Sequence, residues 1–373
     1  MSGRWVGPMR RALEAAEKGR YGASPNPMVG AVLLARNGEV VATGAHLRCG
    51  GPHAEVDALS QGAERAVGGT IVVTLEPCVP SPNKRTPPCV DAILAAGIAR
   101  VVIGTRDPNP AVAGRGVQTL TTAGVEVIEG VEEEACRTLN RRFFHWATTG
   151  RPYVTLKMAM TLDGKLAARG GRSRWITSEA SRREGYALRE EHDALLVGVN
   201  TVLADDPRLL RHLGLNPNPH LTRAVVDTSL RTPADGALLE KYPEDVVVFC
   251  LEGAPPERRR GLEERGVKVV EVGDDGRRRC DLRQVLRWLG SNQISSVLVE
   301  GGGEVHWSFL REGLAHRVTA FVAPLVLGGR DATPSVGGPG FASPQEAVRM
   351  RFVDVRRLGD DLVVEAEVEG AGV

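Results

Sequence analysis

A two-part α/β fold is predicted by three features of the sequence. Helix-like and strand-like segments alternate along the chain, the alternation restarts once near "HWATTGRPYV", and 373 residues exceed what one core usually organises. In the first part, "PMRRALEAAEKG" sets Met9, Ala12, Leu13 and Ala16 at helical spacing and stops at Gly19. "VGAVLLA" and "GEVVATGAH" follow as strands around an "RNG" turn. Helix "HAEVDALSQG", strand "TIVVTLE", helix "PPCVDAILAAG" and strand "RVVIGTRD" come next, and "VQTLTTAGVEVIEG" adds a helix and a strand. That order predicts a mixed sheet covered by helices.

The second alternation begins with a strand at residues 153–160. Its further strands are "DALLVGV", "RAVVD", "DVVVFC", "VKVVEV", "SSVLVE" and "VTAFVAPLVLGG", and "RFVDVRRLGDDLVVEAEV" reads as a closing β-hairpin. The predicted domains are residues 1–148 and 149–373. No short-period repeat stands out, and "LGLNPNPHL" and "ATPSVGGPG" read as turn-rich loops.

With 47 basic and 46 acidic residues, the chain offers no net-charge argument for a nucleic-acid or anionic-membrane partner. Only six of the basic residues are lysines, and the arginines are scattered rather than clustered. "MSGRWVGPMRRALEAAEKG" has no apolar export segment, and no stretch approaches the roughly 20 apolar residues of a membrane span. The expected setting is a reducing cytoplasm. There the six cysteines, Cys49, Cys78, Cys89, Cys136, Cys250 and Cys280, read as metal ligands or buried thiols rather than a disulfide framework.

The segment "EPCVPSPNKRTPPC" separates Cys78 from Cys89 by ten residues, four of them prolines. Alone, the pair would fit a structural zinc or two buried thiols. "GGPHAEVDAL" adds His53 and, two residues on, Glu55, which completes the H-x-E…P-C-x(n)-C pattern of zinc deaminases. Three protein ligands, His53, Cys78 and Cys89, would leave a fourth zinc position for water, whose pKa the ion lowers towards neutrality. Glu55 would take that proton and hand it to the leaving amine. His53 and Cys89 fall at predicted helix starts, where free N–H groups favour a thiolate, and Pro87 and Pro88 suit a first turn. Cys49, four residues before His53, is the rival ligand and is read as a packing residue.

"SPNPMVGAV", "GAHLRCGGPHAEVDAL", "TLEPC…RTPPC" and "DPNPAVAGRGVQTLTTAGVEV" resemble, in order and spacing, the deaminase half of the bifunctional riboflavin-biosynthesis deaminase/reductase family. "PYVTLKMAMTLDGKLA", "GRSRWITSEASR", "DALLVGVNTVLADDPRL" and "LVEGGGEVHWSFL" resemble its reductase half. The resemblance implies a cytidine-deaminase-like N-terminal domain with one Zn2+ per chain. A dihydrofolate-reductase-like C-terminal domain using NADPH would follow it. It further implies a phosphorylated pyrimidine as small-molecule substrate and a homo-oligomer.

By the same resemblance, Asn26, His46, Asp107 and Asn109 fall on positions that hold the pyrimidine and its phosphate arm, although Asn26 and Asn109, each beside a proline, also suit turns. The loop after Cys78 departs from the family pattern. It is two residues longer, lacks the usual histidine, and carries Lys84 for a glycine beside Arg85 at the basic position. Insertion is thermodynamically cheap, so zinc ligation should survive while substrate fit or deaminase rate is exposed to change.

In the second half, "KMAMTLDGK" carries Lys157, Thr161, Asp163 and Lys165 on a strand running into a turn, which in the family lines the site between cofactor and ribose. "EGGGE" between a strand and a helix near "VHWSFL" lets backbone N–H groups approach a phosphate, yet it is not the G-x-G-x-x-G dinucleotide fingerprint. The resemblance places Ala159, Trp175, Thr201, Asp205 and Gly302 to Ser308 (Gly303 among them) on cofactor-contacting positions. It places Lys157, Ser173, Arg189, Leu209 and Glu300 on the substrate side. Packing would account for Trp175 equally well, and capping for Asp205 and Asp206. Arg211 is preferred to His212 for the substrate phosphate because a fixed positive fork suits a phosphate.

Three other readings compete, one of them a related enzyme of secondary metabolism working on a similar pyrimidine. A nucleoside-type zinc deaminase commonly shows Cys-x-x-Cys and would leave residues 150–373 without a role. A paralogue with an inactive or re-targeted deaminase half would act as reductase or interaction module only.

Overall fold

The computed structural model of the chain describes residues 3–80, 87–109 and 112–370. Lys84 and Arg85 lie outside the described residues. The chain divides into two compact units, Met1–Gly150 and Arg151–Val373.

In the first unit the strands are β1 (Gly30–Leu34), β2 (Val40–Ala45), β3 (Thr70–Leu75), β4 (Arg100–Thr105) and β5 (Glu126–Ile128). They form one sheet in the order β2-β1-β3-β4-β5, antiparallel as far as β3 and parallel beyond it. The helices are α1 (Gly3–Ala16), α2 (Ala54–Ser60), α3 (Cys89–Ala95), α4 (Arg115–Thr122), α5 (Glu133–Leu139) and α6 (Arg141–Thr149). β1 shows why these strands are apolar without alternation. Ala31 and Leu33 pack with Ala54, Ala58, Val90 and Ile93 of α2 and α3. Val32 and Leu34 pack on the other face with Trp5, Met9 and Ala12 of α1. A strand covered on both faces reads as a continuous hydrophobic run.

The second unit contains β6 (Tyr153–Thr161), β7 (Lys165–Ala167), β8 (Ala194–Gly198), β9 (Thr222–Val226), β10 (Val246–Leu251) and β11 (Lys268–Val272). It continues with β12 (Ser296–Val299), β13 (Arg317–Ala323), β14 (Thr333–Pro334), β15 (Met350–Leu358) and β16 (Asp361–Val368). Nine of these form a sheet in the order β11-β10-β9-β8-β12-β6-β13-β16-β15, parallel from β11 to β13, with the terminal hairpin β15/β16 added antiparallel. Its helices are α7 (Glu179–Glu191), α8 (Val199–Asp205), α9 (Pro256–Glu263), α10 (Leu282–Ser291) and α11 (Gly303–Arg311).

Parallel strands align their C-terminal ends, so the ends of β6, β8, β9 and β12 open onto one crevice. One strand expectation fails in part. "VTAFVAPLVLGG" is strand only to Ala323, and Leu325, Val326 and Leu327 beyond it are exposed. There the backbone turns back instead, with the N–H groups of Leu327 and Gly328 donating to the Asp163 carboxylate at 3.1 and 2.7 Å.

Candidate active sites

In the first unit, local backbone geometry brings the three expected ligands together. His53 is the N-cap of α2, in extended conformation, and Cys89 is the first residue of α3. His53 Nδ1 lies 3.4 Å from Cys78 Sγ and 3.3 Å from Cys89 Sγ, and the three ligand atoms all fall within 4.8 Å of one another. A tetrahedral zinc with Zn–S near 2.3 Å and Zn–N near 2.0 Å has N···S edges of about 3.5 Å. The donor set and spacing therefore fit zinc. The Cys89 N–H donates to Cys78 Sγ at 3.3 Å, which favours the thiolate. Among the described residues no fourth protein ligand joins the group. Cys49, expected as a packing residue, is instead exposed.

Glu55 sits in the first turn of α2 and is 3% exposed. Burial, with the Cys78 sulfur charge beside it, pushes its carboxyl up to about 7. His46 is also buried. Its Nδ1 faces the Pro52 carbonyl at 2.8 Å and its Nε2 faces Asn26 Nδ2 at 3.2 Å. With Nδ1 donating to the carbonyl and Nε2 accepting from the amide, both contacts are satisfied by one neutral tautomer. Burial lowers the His46 pKa, against the opposing pull of the Pro52 carbonyl, and keeps it in that form. Asn26 is thus tied to His46, whose ring stands 5.3 Å from that of His53. Asp107 caps its own turn, accepting from the Asn109 N–H at 2.8 Å, and burial pushes its carboxyl up to about 6.

Two supporting residues escaped sequence reasoning. Glu76 is buried, and its carboxylate accepts from the N–H groups of Asp107 (3.3 Å), Gly114 (3.0 Å), Gly116 (2.9 Å) and Val117 (3.2 Å). It fastens both ends of the turn that carries Asp107 and Asn109. Its place in "LEPC", two residues before Cys78, was the available signal. Asn140 is buried and clasps Met28 through both side-chain atoms, at 2.8 Å each, which fixes the segment bearing Asn26. A lone asparagine 112 residues away gave no signal.

In the second unit, a cleft of about 1220 Å³ opens at the C-terminal strand ends. Lys157 and Ala159 line it from β6, Ser173 and Trp175 from the following loop, and Arg189 from α7. Thr201 and Asp205 enter from α8, Leu209 from the next loop, and Glu300, Gly302 and Gly303 from the end of β12. Trp175 is 64% exposed, with the Arg182 guanidinium 4.4 Å from its ring, so packing in the core does not account for it. Asp205 accepts from Ser173 Oγ at 3.3 Å, and Asp206, at φ +40°, from the Ala237 N–H at 2.8 Å.

Gly302 takes φ +69° as N-cap of α11, a conformation that favours glycine. A Cβ on Gly301 would meet Thr201 Oγ1 at 2.8 Å, and one on Gly303 the Pro334 carbonyl at 2.5 Å. The helix itself begins at Gly303, two residues before the expected "VHWSFL". The glycines thus form a narrow cradle of backbone at a helix start, suited to a phosphate.

At the floor, Arg189 holds Glu300 in two bonds of 2.7 and 2.8 Å, and Lys157 Nζ lies 4.0 Å from the same carboxylate. Burial opposes the charge on Glu300, but Arg189 and Lys157 override it and hold the carboxyl at about 2. Burial lowers the Lys157 pKa, with Glu300 opposing that shift.

Arg211 is a correction. Its guanidinium is taken up by the carbonyls of His192 (2.7 Å), Asn218 (3.1 Å) and His220, and it does not line the cleft. His212 lines it instead, its ring 4.6 Å from that of Tyr186. The cause is Glu190, fully buried, whose carboxylate accepts from the N–H groups of His212 (3.1 Å), Leu213 (2.8 Å) and Asn216 (3.0 Å) and sets the turn.

A zinc-type hydrolase site and a dinucleotide-sized cleft on a parallel sheet define a two-enzyme chain. Comparison with known proteins carries this to a family. Residues 7–105 match the cytidine and deoxycytidylate deaminase zinc-binding region, and residues 152–364 match the RibD C-terminal domain. The riboflavin biosynthesis protein RibD of Aquifex aeolicus is 43% identical over 95% of this chain and 96% of its own length. That of Actinobacillus pleuropneumoniae is 41% identical over 96% and 93%. The solved structure of Acinetobacter baumannii RibD matches with a TM-score of 0.89 at 35% identity, covering 99% of both chains. A Thermotoga maritima diaminohydroxyphosphoribosylaminopyrimidine deaminase/5-amino-6-(5-phosphoribosylamino)uracil reductase matches at 0.83 and 36%, covering 98% of this chain and 99% of that one. The chain belongs to the RibD family of riboflavin-biosynthesis proteins. Among the described residues no helix is long and apolar enough to cross a membrane.

Proposed function

We propose that the chain carries out two successive reactions. The first unit deaminates 2,5-diamino-6-(5-phosphoribosylamino)pyrimidin-4(3H)-one by hydrolysis. The second reduces the ribosyl arm with NADPH to give 5-amino-6-(5-phosphoribitylamino)uracil. The single observation that carries the reading is the three-ligand group His53, Cys78 and Cys89 with buried Glu55 beside it, in a chain that matches RibD proteins almost end to end.

His53, Cys78 and Cys89 would hold zinc, which would make water acidic enough to lose a proton and serve as a hydroxide nucleophile at neutral pH. Glu55 receives that water's proton on its carboxylate and delivers it to the departing amine. Asn26, oriented by neutral His46, and the turn carrying Asp107 and Asn109, held by Glu76, fix the pyrimidine. In the second unit the Gly302–Gly303 cradle takes the cofactor's phosphates, and Ala159, Trp175, Thr201 and Asp205 line the same wall. Lys157, Arg189, Glu300, Ser173, Leu209 and His212 face the substrate. Their arrangement positions the ribosyl carbon for hydride, because hydride transfer asks mainly for alignment. The same reading makes the protein a cytoplasmic homo-oligomer that handles a small molecule, with no nucleic-acid or membrane partner.

The test follows NADPH oxidation by the purified chain, supplied separately with the diaminopyrimidinone phosphate and with its deaminated uracil product. Oxidation from both, with ammonia released only from the first, is expected. Oxidation from the uracil alone would leave a reductase with a re-targeted deaminase half. Oxidation from neither would overturn the assignment.

A further inference from the structure

Asp361 opens β16 at the turn of the terminal hairpin, and it is only 2% exposed. Its carboxylate accepts from the Ser178 N–H at 2.8 Å and from Ser181 Oγ at 2.5 Å. Both donors belong to the start of α7, 183 and 180 residues earlier in the chain. A carboxylate is favoured there, because the first turn of a helix leaves N–H groups free and carries the positive end of its dipole.

The helix already has a cap of its own. Ser178 is its N-cap, and its hydroxyl accepts from the Ser181 N–H at 3.3 Å. Asp361 is therefore not needed to begin the helix; it fixes where that beginning sits against the sheet. The hairpin takes a second hold on α7, since Arg356 of β15 bonds Glu184 through both guanidinium nitrogens.

What α7 carries explains why its placement matters. Arg182, Gly185, Tyr186 and Arg189 recur every three or four residues along one face and line the cleft. A Cβ on Gly185 would meet Lys157 Cε at 3.3 Å, so the helix runs close against Lys157 of β6. Four residues on, Arg189 holds Glu300. Near the helix start, Arg182 bonds the Thr177 carbonyl at 2.8 Å and covers the Trp175 ring. A shift of that start would carry Arg189 and the Trp175 loop with it and change their spacing to Lys157.

We infer that Asp361 is a positioning residue for the reduction. By tying the start of α7 to β16, it sets the alignment of the Lys157–Glu300–Arg189 floor with the opposite wall of the cleft. The inference rests on the reading of this cleft as the reductase site. Asp361 does not line the cleft itself and acts only through the helix.

The test is single-turnover NADPH oxidation by the full chain, with enzyme in excess over NADPH and the uracil substrate saturating. An unfolded fraction of enzyme leaves the rate constant unchanged under these conditions, so the rate constant reports alignment. D361A is expected to lower it by about 10- to 100-fold, the range for a small misplacement of reacting groups. D361N keeps an oxygen able to accept both bonds and should stay within about three-fold of wild type. S181A removes one donor and spares the other, and should fall by about two- to five-fold. A wild-type rate constant in D361A, or a loss in D361N as large as in D361A, would overturn the role of Asp361. Should D361A not fold, a wild-type rate constant in S181A would overturn it equally. A wild-type chain that oxidises no NADPH would overturn the reductase reading and this inference with it.

Discussion

The two sites of this chain are built in opposite ways. The deaminase site is concentrated. Three candidate ligands and one carboxylate gather at two helix starts and one strand end: His53 and Glu55 open α2, Cys89 opens α3 with its N–H turned towards the Cys78 sulfur, and Cys78 lies just beyond β3. The cleft of the reductase unit is dispersed over the ends of four parallel strands and the segments that follow them. Chemistry that needs a metal and a proton carrier is confined to a few residues of fixed type. Chemistry that needs alignment is shared widely. Damage should therefore be abrupt in the first unit and graded in the second.

The largest effect is expected at the ligands. Replacing Cys89 with Ser should abolish zinc retention, read by metal analysis, and lower deamination by at least about 10³-fold. NADPH oxidation from the uracil substrate should persist. Next comes Glu55→Gln, which should keep zinc while lowering the deamination kcat by about 10²- to 10⁴-fold, the usual span for a lost proton carrier.

In the reductase unit, Glu300→Ala leaves Arg189 and Lys157 without their shared carboxylate and should destabilise that unit by about 3–5 kcal/mol in chemical denaturation. The intact ion pair has a definite pH signature. Its carboxyl is held at about 2, below an ordinary 4.5, so its stabilisation is fully present above pH 4.5 and is lost only as pH falls towards 2. The stability advantage of wild type over Glu300→Gln should therefore be intact at pH 5 and vanish only in strong acid.

The smallest contrast sharpens the correction at Arg211. His212→Asn should raise the KM for the uracil substrate by about 3- to 10-fold. Arg211→Lys should leave it within about two-fold and show instead as a modest loss of stability, since its partners are backbone carbonyls.

The same contrast explains what could be read from residues alone. The apolar runs of β1 and β8 and the order of elements were legible because doubly covered strands need unbroken hydrophobic stretches. The candidate zinc group was legible because His53, Glu55, Cys78 and Cys89 are few and chemically distinctive, with His53 two residues before Glu55 and each cysteine directly after a proline. Arg211 was misjudged because the direction of a side chain on an irregular turn is set by a distant partner, here Glu190, which bonds the turn from a different element. Glu76 and Asn140 stayed hidden for the same reason. Their partners are backbone N–H and carbonyl groups, which every residue type supplies equally. The strand after β13 ended early because "PLVLGG" is apolar enough for a strand but is drawn off by Asp163.

The claim on which this account turns is that His53, Cys78 and Cys89 form a three-ligand zinc centre open to solvent. Zinc stoichiometry together with X-ray absorption at the zinc edge tests it most directly. One zinc per chain, with two sulfur ligands, one imidazole nitrogen and one further light atom near 2.0 Å that exchanges with added anions, is the predicted result. A closed shell with a third sulfur or a second imidazole would make the centre structural and contradict the account.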